Sequence, residues 1–362
     1  MPWNWQQKHW PNFTYDTGKM EPLEREFAHL LGTVTGAMKH LEEQDRNQII
    51  VQILSTEGVK TAEIEGELLD RDSVQSSIRR KLGLSTVKRN LQPAEAGMAE
   101  MIMAVYQDYE SPLTKRELDG WNAALMQGRT DLERIGSYRI HEDPMQIVSG
   151  GIGNETVHFE APPSKGVPRY MKEFIRWFNG SLKTLPPLTR AGIAHLYAVS
   201  IHPYEDGNGR MARALVEKAL SQSAGAPALS GVSRQIAIKK STYYDALKRN
   251  NQNLEITDWL LTFGKTLITA KKYVLSSIEG ILQKAALYGK YFSELNERQK
   301  KVIDRLFEAE PEGFVGGLSA GKYIAITKAK RATATRDLQK LVNLGILRKT
   351  GKRRHARYWL AA

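Results

Sequence analysis

Apolar residues recur at helical spacing along most of this chain. Leu23, Phe27, Leu30, Leu31 and Val34 mark one face of an amphipathic segment, which predicts one or two helices over 20–54. Asp72 or Ser73 is a suitable N-cap for a helix within 70–92, with Arg79, Arg80 and Lys81 on a solvated face. Pro93 and Pro112 each precede a further helix in 93–135, and Ser111 or Thr114 suits the second cap. Phe174, Trp177 and Phe178 line one face of a helix over 167–184. Leu188–Ile201 and Ala212–Ser221 carry apolar residues at positions that predict two helices flanking a polar elbow. Residues 233–251 read as two short helices and 256–292 as long ones, with Trp259, Leu260, Phe263, Leu267 and Ile268 inward. The period changes over 136–163. There Tyr138, Ile140, Ile147, Val148, Val157 and Phe159 alternate with polar residues around Ser149-Gly-Gly-Ile-Gly-Asn154, which predicts a β-hairpin ended by Pro162-Pro163. The first fifteen residues follow neither period. Trp3, Trp5, Trp10, Phe13 and Tyr15 predict an irregular arm fastened to a helical core by its rings.

The 362 residues are enough for two or three domains, and the absence of cysteine excludes disulfides, thiolate catalysis and Cys-based zinc sites. No apolar run approaches the ~20 residues of a membrane helix. The opening Met-Pro-Trp-Asn-Trp-Gln-Gln lacks the apolar core of a signal peptide, so the expectation is a soluble cytoplasmic protein without a membrane partner. Net charge is +12, and its placement matters more than its size. From Ser319 onward, twelve Lys and Arg face one acid, Asp337, a balance of +11. The preceding 318 residues are therefore nearly neutral, and any attraction for polyanions belongs to the C-terminal segment.

The candidate chemistry lies in the elbow, His202-Pro-Tyr-Glu-Asp-Gly-Asn-Gly-Arg-Met-Ala-Arg213. A Gly-Asn-Gly turn lets the backbone approach an anion, and the first-turn N–H groups of the next helix point at it. Arg210 and Arg213 are three apart and share a helix face, so they can grip adjacent phosphates. Asp206 is a hard oxygen ligand suited to a Mg²⁺ that bridges phosphates. His202 can take a proton near neutral pH.

This stretch resembles the Fic family signature, His-x-Phe-x-(Asp/Glu)-Gly-Asn-Gly-Arg-x-x-Arg, and departs from it only at Tyr204, where the family has Phe. The Tyr204 hydroxyl must then find a partner. The resemblance implies a Fic-type, mainly α core and transfer of AMP from ATP to a hydroxyl of a target protein. On that likeness His202 deprotonates the hydroxyl and Asp206 binds Mg²⁺. Asn208, with the N–H groups around Gly207 and Gly209, holds the α-phosphate, and Arg210 and Arg213 hold the outer phosphates. Thr61-x-x-x-Glu65-Gly66 resembles the family's inhibitory motif; its carboxylate is expected to pair with Arg213 in the place of the γ-phosphate. The 136–163 hairpin resembles the Fic flap, which covers the nucleotide and pairs with the target segment by strand addition, with Val157 and His158 at the contact. By position, Tyr243 is the candidate to stack on adenine and Asn251 to hydrogen-bond the nucleoside, although a core Tyr and a helix-ending Asn explain these residues equally well. The Trp-rich opening resembles a module that begins some Fic proteins.

Residues 294–362 look like a winged helix-turn-helix. The helix Glu297–Ala309, a Gly-rich turn, helices near 321–328 and 333–344 closed by Gly345, and two short strands around a basic wing at 350–354 are expected. Ala332–Val342 resembles a recognition helix, in which Thr333, Thr335, Arg336 and Gln339 reach a major groove while Lys352, Arg353 and Arg354 track DNA phosphates. A module for dimerisation or protein docking fits the same elements. The divisions expected are 1–105, an N-terminal helical module; 106–270, the catalytic core; 271–293, a helical connector; and 294–362, the winged helix. The leading reading is an adenylyltransferase restrained by Glu65. Its rivals are removal of AMP by a water that Glu65 positions, transfer of another nucleotide, and a DNA-binding regulator whose core senses nucleotide. Self-association as a homodimer would be one route to regulating access to Glu65.

Overall fold

The computed structural model describes residues 2–85, 92–149, 156–307, 309 and 313–361, without the side chains of Ser149 and Arg354. The protein is mainly helical and forms two compact units, residues 1–274 and 275–362. The first contains α1 (Thr17–His40), α2 (Glu43–Ile64), α3 (Arg71–Lys81), α4 (Pro93–Gln107) and α5 (Lys115–Leu125). A hairpin of β1 (Gln146–Ser149) and β2 (Thr156–Glu160) follows, then α6 (Val167–Gly180), α7 (Pro187–Ile201), α8 (Asn208–Ala224), α9 (Val232–Ile238) and α10 (Lys240–Asn250). The division between the units falls within α11 (Thr257–Tyr291).

The core of the first unit is built on α7, which packs along α8 and is buried over nearly its whole surface. Its one internal cation, Arg190, is fully buried and satisfied by the carbonyls of Phe178 and Ala219, Ser181 Oγ and Gln222 Oε1. Such complete satisfaction is what permits a charge at this depth. Two glycines allow close helix approach. A Cβ on Gly97 in α4 would stand 1.8 Å from the Ala124 carbonyl oxygen of α5, and one on Gly192 in α7 would stand 2.7 Å from Leu260.

The aromatic arm is fastened by its rings. Trp3 packs edge-on to Phe159 of β2, and Trp10 and Phe13 pack on Tyr197 of α7. Polar contacts complete the attachment: Trp5 Nε1 donates to the Glu160 carbonyl at 2.7 Å and Asn4 Nδ2 to Ser200 Oγ at 2.9 Å.

Two local expectations need correction. The cap of α3 is Asp70, not Asp72 or Ser73; its side chain accepts from Ser73 N, placing the helix start two residues earlier. Tyr138 and Ile140 lie outside the strands, because Tyr138 packs on Tyr204 and the Arg139 N–H donates to the Pro203 carbonyl rather than to a sheet partner. The hairpin that remains pairs Gln146 with Glu160 and Ser149 with Thr156, with a bulge between Ile147 and Val148. The turn expected at 149–154 lies outside the described residues from 150 onward.

Within the second unit, α12 (Glu297–Phe307), α13 (Ala320–Thr327) and α14 (Arg331–Asn343) enclose a core with the antiparallel pair β3 (Leu347–Thr350) and β4 (Arg357–Leu360). Gly345 adopts φ 72° after α14, and the N–H groups of Gly345 and Ile346 return to the Val342 and Leu341 carbonyls. That is the left-handed cap expected of a glycine in this position.

Gly97→Ala should lower unfolding stability by about 3 kcal/mol or more, because the clash is with backbone and α4 must part from α5. Gly32→Ala in α1, where an added Cβ meets nothing within 4 Å, should be neutral or stabilising by up to ~1 kcal/mol. Chemical denaturation of both variants checks the contrast.

Candidate functional site

The elbow between α7 and α8 is held in an uncommon backbone conformation. His202 caps α7 with φ 50° and ψ 62°, and Gly207 precedes α8 with φ 87°. A non-glycine residue in the left-handed region is strained and persists where its surroundings over-determine it. Here the clamp is Arg139, whose Nε donates to the His202 carbonyl at 2.8 Å and whose own N–H reaches the Pro203 carbonyl at 3.0 Å. Burial pulls the Arg139 guanidinium down to about 10. Tyr204 is fully buried, and its hydroxyl finds the needed partner in Asp119 Oδ1 at 2.9 Å.

Asn208 acts on the loop rather than outward. Its Oδ1 accepts from Tyr204 N at 2.9 Å and its Nδ2 donates to the Tyr204 carbonyl at 2.7 Å. The amide thus clips the turn at both ends, and its second Nδ2 hydrogen is left over from these two bonds. The first-turn N–H groups of α8 remain directed along the helix axis without intrahelical acceptors.

The Glu65 carboxylate is seated over that first turn. A Cβ on Gly209 would lie 2.3 Å from Glu65 Oε1, so only glycine lets the carboxylate approach this closely. Glu65 Oε1 accepts from Arg213 Nη2 at 2.7 Å. Thr61 binds the same guanidinium twice, Oγ1 from Nε at 2.7 Å and its carbonyl from Nη2 at 3.0 Å. The end of α2 explains this placement. The Gly66 N–H returns to Glu63 and the Glu67 N–H to Ala62, with Gly66 at φ 85°. This glycine cap closes the helix and leaves Glu65 and Glu67 on either side of its pivot. Glu67 pairs with Arg210, so both arginines of the elbow are held by carboxylates from one cap. Sequence reading identified Glu65 and missed Glu67, although Glu67 stands two residues beyond it.

Burial pushes the His202 imidazole down to about 4. The neighbouring Val199 carbonyl, which receives Nδ1 at 3.3 Å, acts in the opposite direction, and Arg139 adds to the lowering. A carbonyl can only accept, so Nδ1 carries the proton and Nε2 keeps its lone pair. Asp206 is held below the usual carboxylate range despite burial, by Arg210, by Arg129 and by the Gly207 N–H. Among the described residues no group of three or more His, Asp or Glu could cage a metal. A single carboxylate at the mouth of an anion site fits a cation that keeps waters and takes its remaining ligands from a bound phosphate.

Beside Glu65 opens a cavity of about 750 Å³, walled by Ile64 of α2, Ile147 and Phe159 of the hairpin, Val199 of α7, and Tyr244 and Asn251 at α10. Its size suits a nucleoside. Asn251 lines it, with Nδ2 donating to the His158 carbonyl at 2.8 Å and Oδ1 unpartnered among the described residues. Tyr243 does not line it. That ring is buried against Trp259 with its hydroxyl on His195 Nε2 at 3.1 Å, and the cavity face belongs to Tyr244. Adjacent tyrosines on one helix point about 100° apart, and their spacing alone did not say which faced inward. His158 lines the cavity, and Val157, on the neighbouring strand position, is exposed.

The pH response follows from the His202 environment. Its ring should stay neutral from pH 8 to pH 5, with a folded-state midpoint near 4. The unfolded imidazole takes its proton near 6.5, so this group adds no slope to stability above that pH and costs stability as pH falls from 6.5 towards 4. An NMR titration of the His202 C2–H, assigned by its loss in His202→Gln, checks this; a midpoint between 6 and 7 contradicts it.

Comparison with known proteins agrees with the geometry. Residues 112–220 match the model of the Fic/DOC family, and residues 3–84 match that of a domain of unknown function (DUF4172). Proteins named protein adenylyltransferase Fic from Drosophila erecta and Drosophila melanogaster are each 34% identical over 114 residues. The matched stretch covers 31% of this chain and 22% of each relative. A Fic family protein from Desulfovibrio desulfuricans G20 superposes with a TM-score of 0.56 at 20% identity, over 97% of this chain and 98% of that one. Fic-1 from C. elegans superposes with a TM-score of 0.53 at 19% identity, over 74% and 76% of the two chains. The protein thus has the Fic fold, and the stretch that matches the Fic/DOC family model, residues 112–220, contains the whole elbow from His202 to Arg213.

Proposed function

We propose that this protein transfers AMP from ATP to a hydroxyl side chain of a target protein, and that Glu65 restrains it. The observation that carries the reading is a carboxylate seated over the N-terminus of α8, on Arg213, beside a nucleoside-sized cavity. An anion already occupies the anion site. ATP with its base in the cavity would direct its phosphates along the same helix end, where N–H groups and Arg213 favour negative charge. Glu65 and the γ-phosphate compete for one guanidinium, so transfer is slow until the carboxylate leaves.

The reaction needs little from the protein beyond position and charge. The target hydroxyl gives its proton to His202 Nε2 as its oxygen bonds to the α-phosphorus. The bond from that phosphorus to the bridging oxygen breaks, and pyrophosphate leaves. A neutral His202 is ready to accept the proton at physiological pH. Arg210 and Arg213 balance charge on the departing phosphates. Mg²⁺, when bound by Asp206 and phosphate oxygens, would supply further neutralisation of that charge. The hairpin edge, with Ile147, Val148 and Val157 exposed, offers an extended target segment a strand to pair with.

A second reading concerns residues 294–362, taken as a winged helix that binds DNA. It is favoured by the disposition of charge. Asp337, the one acid after Ser319, is buried and bound by Arg298, Tyr323 and Asn296, so its charge is already paired and does not face the exposed bases of α14 and the wing. Thr335, Arg336 and Gln339 are exposed along α14 and Thr333 partly so, while Lys352 and Arg353 are exposed beyond β3. The Arg354 side chain lies outside the described residues.

The test is label transfer from α-labelled ATP with Mg²⁺ in a cell extract. Glu65→Gly should raise incorporation roughly ten- to hundredfold over the intact chain, the worth of one hydrogen-bonded charge pair. Adding His202→Ala should remove at least ~100-fold. Label that never moves, while labelled substrate proteins lose AMP, assigns the site to removal. Duplex DNA binding that weakens steeply with salt and loses about one unit of salt slope in Arg353→Ala would support the second reading.

A further inference from the structure

Asp206 is surrounded by cations of unequal mobility. Its backbone is fixed, since Asn122 Nδ2 donates to the Asp206 carbonyl at 2.9 Å and Asn122 Oδ1 accepts from Gly136 N at 2.9 Å. Oδ1 accepts from the Gly207 N–H and from Arg210 Nη2 at 3.1 Å. Both donors are parts of the elbow, and Arg210 is only 4% exposed, so Oδ1 is committed. Oδ2 accepts from Arg129 Nη1 at 2.7 Å.

Arg129 follows α5 and stands on the surface, 40% exposed. Its remaining nitrogens form a fork with Asp131, Nε to Oδ1 and Nη2 to Oδ2, each at 2.7 Å. Among the described residues, its guanidinium is thus the one contact of Asp206 that can swing into solvent without disturbing the elbow. When it does, the fork with Asp131 keeps it paired.

A carboxylate oxygen cannot accept a guanidinium N–H along one lone pair and coordinate a divalent cation in the same direction. Two cations at one oxygen also repel, in a setting open enough for salt to moderate the effect. We propose that Arg129 is a positioning residue that sets the divalent-cation affinity of Asp206, standing on Oδ2 until a cation displaces it. This rests on the proposed metal role of Asp206. It goes beyond that role by assigning the cation requirement to a residue outside the elbow, one turn of chain past α5. The arrangement keeps the carboxylate aimed and neutralised in the resting protein, and ties cation binding to the arrival of a nucleotide that contributes the other ligands.

The experiment is an electron paramagnetic resonance titration of the full chain with Mn²⁺, with and without a nonhydrolysable ATP analogue. Four proteins are compared: intact, Arg129→Gln, Arg129→Lys, and Arg129→Gln with Asp206→Asn. Arg129→Gln should bind Mn²⁺ roughly tenfold more tightly, and the gain should shrink as salt rises. Arg129→Lys, which keeps the charge, should stay near the intact protein. Asp206→Asn should abolish the gain. Mn²⁺ affinity that is unchanged or weaker in Arg129→Gln, or a gain that survives Asp206→Asn, overturns the proposal. So does the absence of Mn²⁺ binding through Asp206 in every variant. Arg129-dependent Mn²⁺ affinity in a protein that transfers no AMP would remove the transferase reading and leave this one standing.

Discussion

The guanidinium of Arg213 is the charge around which the first unit is arranged. It is 2% exposed, and a cation at that depth requires partners. Thr61 supplies two and Glu65 a third, all from the last turn of α2. The ion pair therefore also docks α2 on α8. Removing one partner of a fully buried pair costs about 3–5 kcal/mol. Glu65 keeps nearly a third of its surface in water, so its share is smaller and water can replace it. On the proposed function, that intermediate exposure suits a removable partner: strong enough to hold the resting state, open enough to yield to a phosphate.

The elbow shows the same economy. Strain at His202 is held by Arg139, the loop is clipped by Asn208, and the Tyr204 ring is anchored through Asp119. None of these groups needs to move for an anion to meet the end of α8. The aromatic arm extends this rigidity to the cavity, because Asn4 N donates to the Asn251 carbonyl while Asn251 Nδ2 holds the hairpin at His158. The arm, α10 and β2 thus share one residue at the cavity wall.

Much of this was legible in the sequence, for a physical reason. The elbow packs its chemistry into twelve consecutive residues, so spacing alone exposes it. The helices of the core announce themselves by period, and the arm by its rings. The groups that escaped reading act across long separations. Arg139 clamps a residue 63 positions away, Arg129 meets Asp206 across 77, and Glu67 meets Arg210 across 143. No local pattern marks such partners. Tyr243 takes the core position that the sequence left open as its alternative, and which of the two adjacent tyrosines faces the cavity depends on the rotation of α10 about its axis. Asp70 was passed over as a cap because Asp72 and Ser73 offer the same chemistry two residues on. The hairpin was read too long because Arg139 spends its hydrogen bonds on the elbow, which alternation in the sequence could not reveal.

The central claim is that Glu65 and nucleotide phosphate compete for Arg213. Calorimetric titration of the intact chain and of Glu65→Gly with ATP and Mg²⁺ tests it without requiring a target or turnover. The account predicts affinity at least about tenfold tighter in Glu65→Gly, the scale of one charge-assisted hydrogen bond. It also predicts that Arg213→Ala cancels that gain. Equal affinity in the intact chain and Glu65→Gly, or a gain that persists without Arg213, would contradict it.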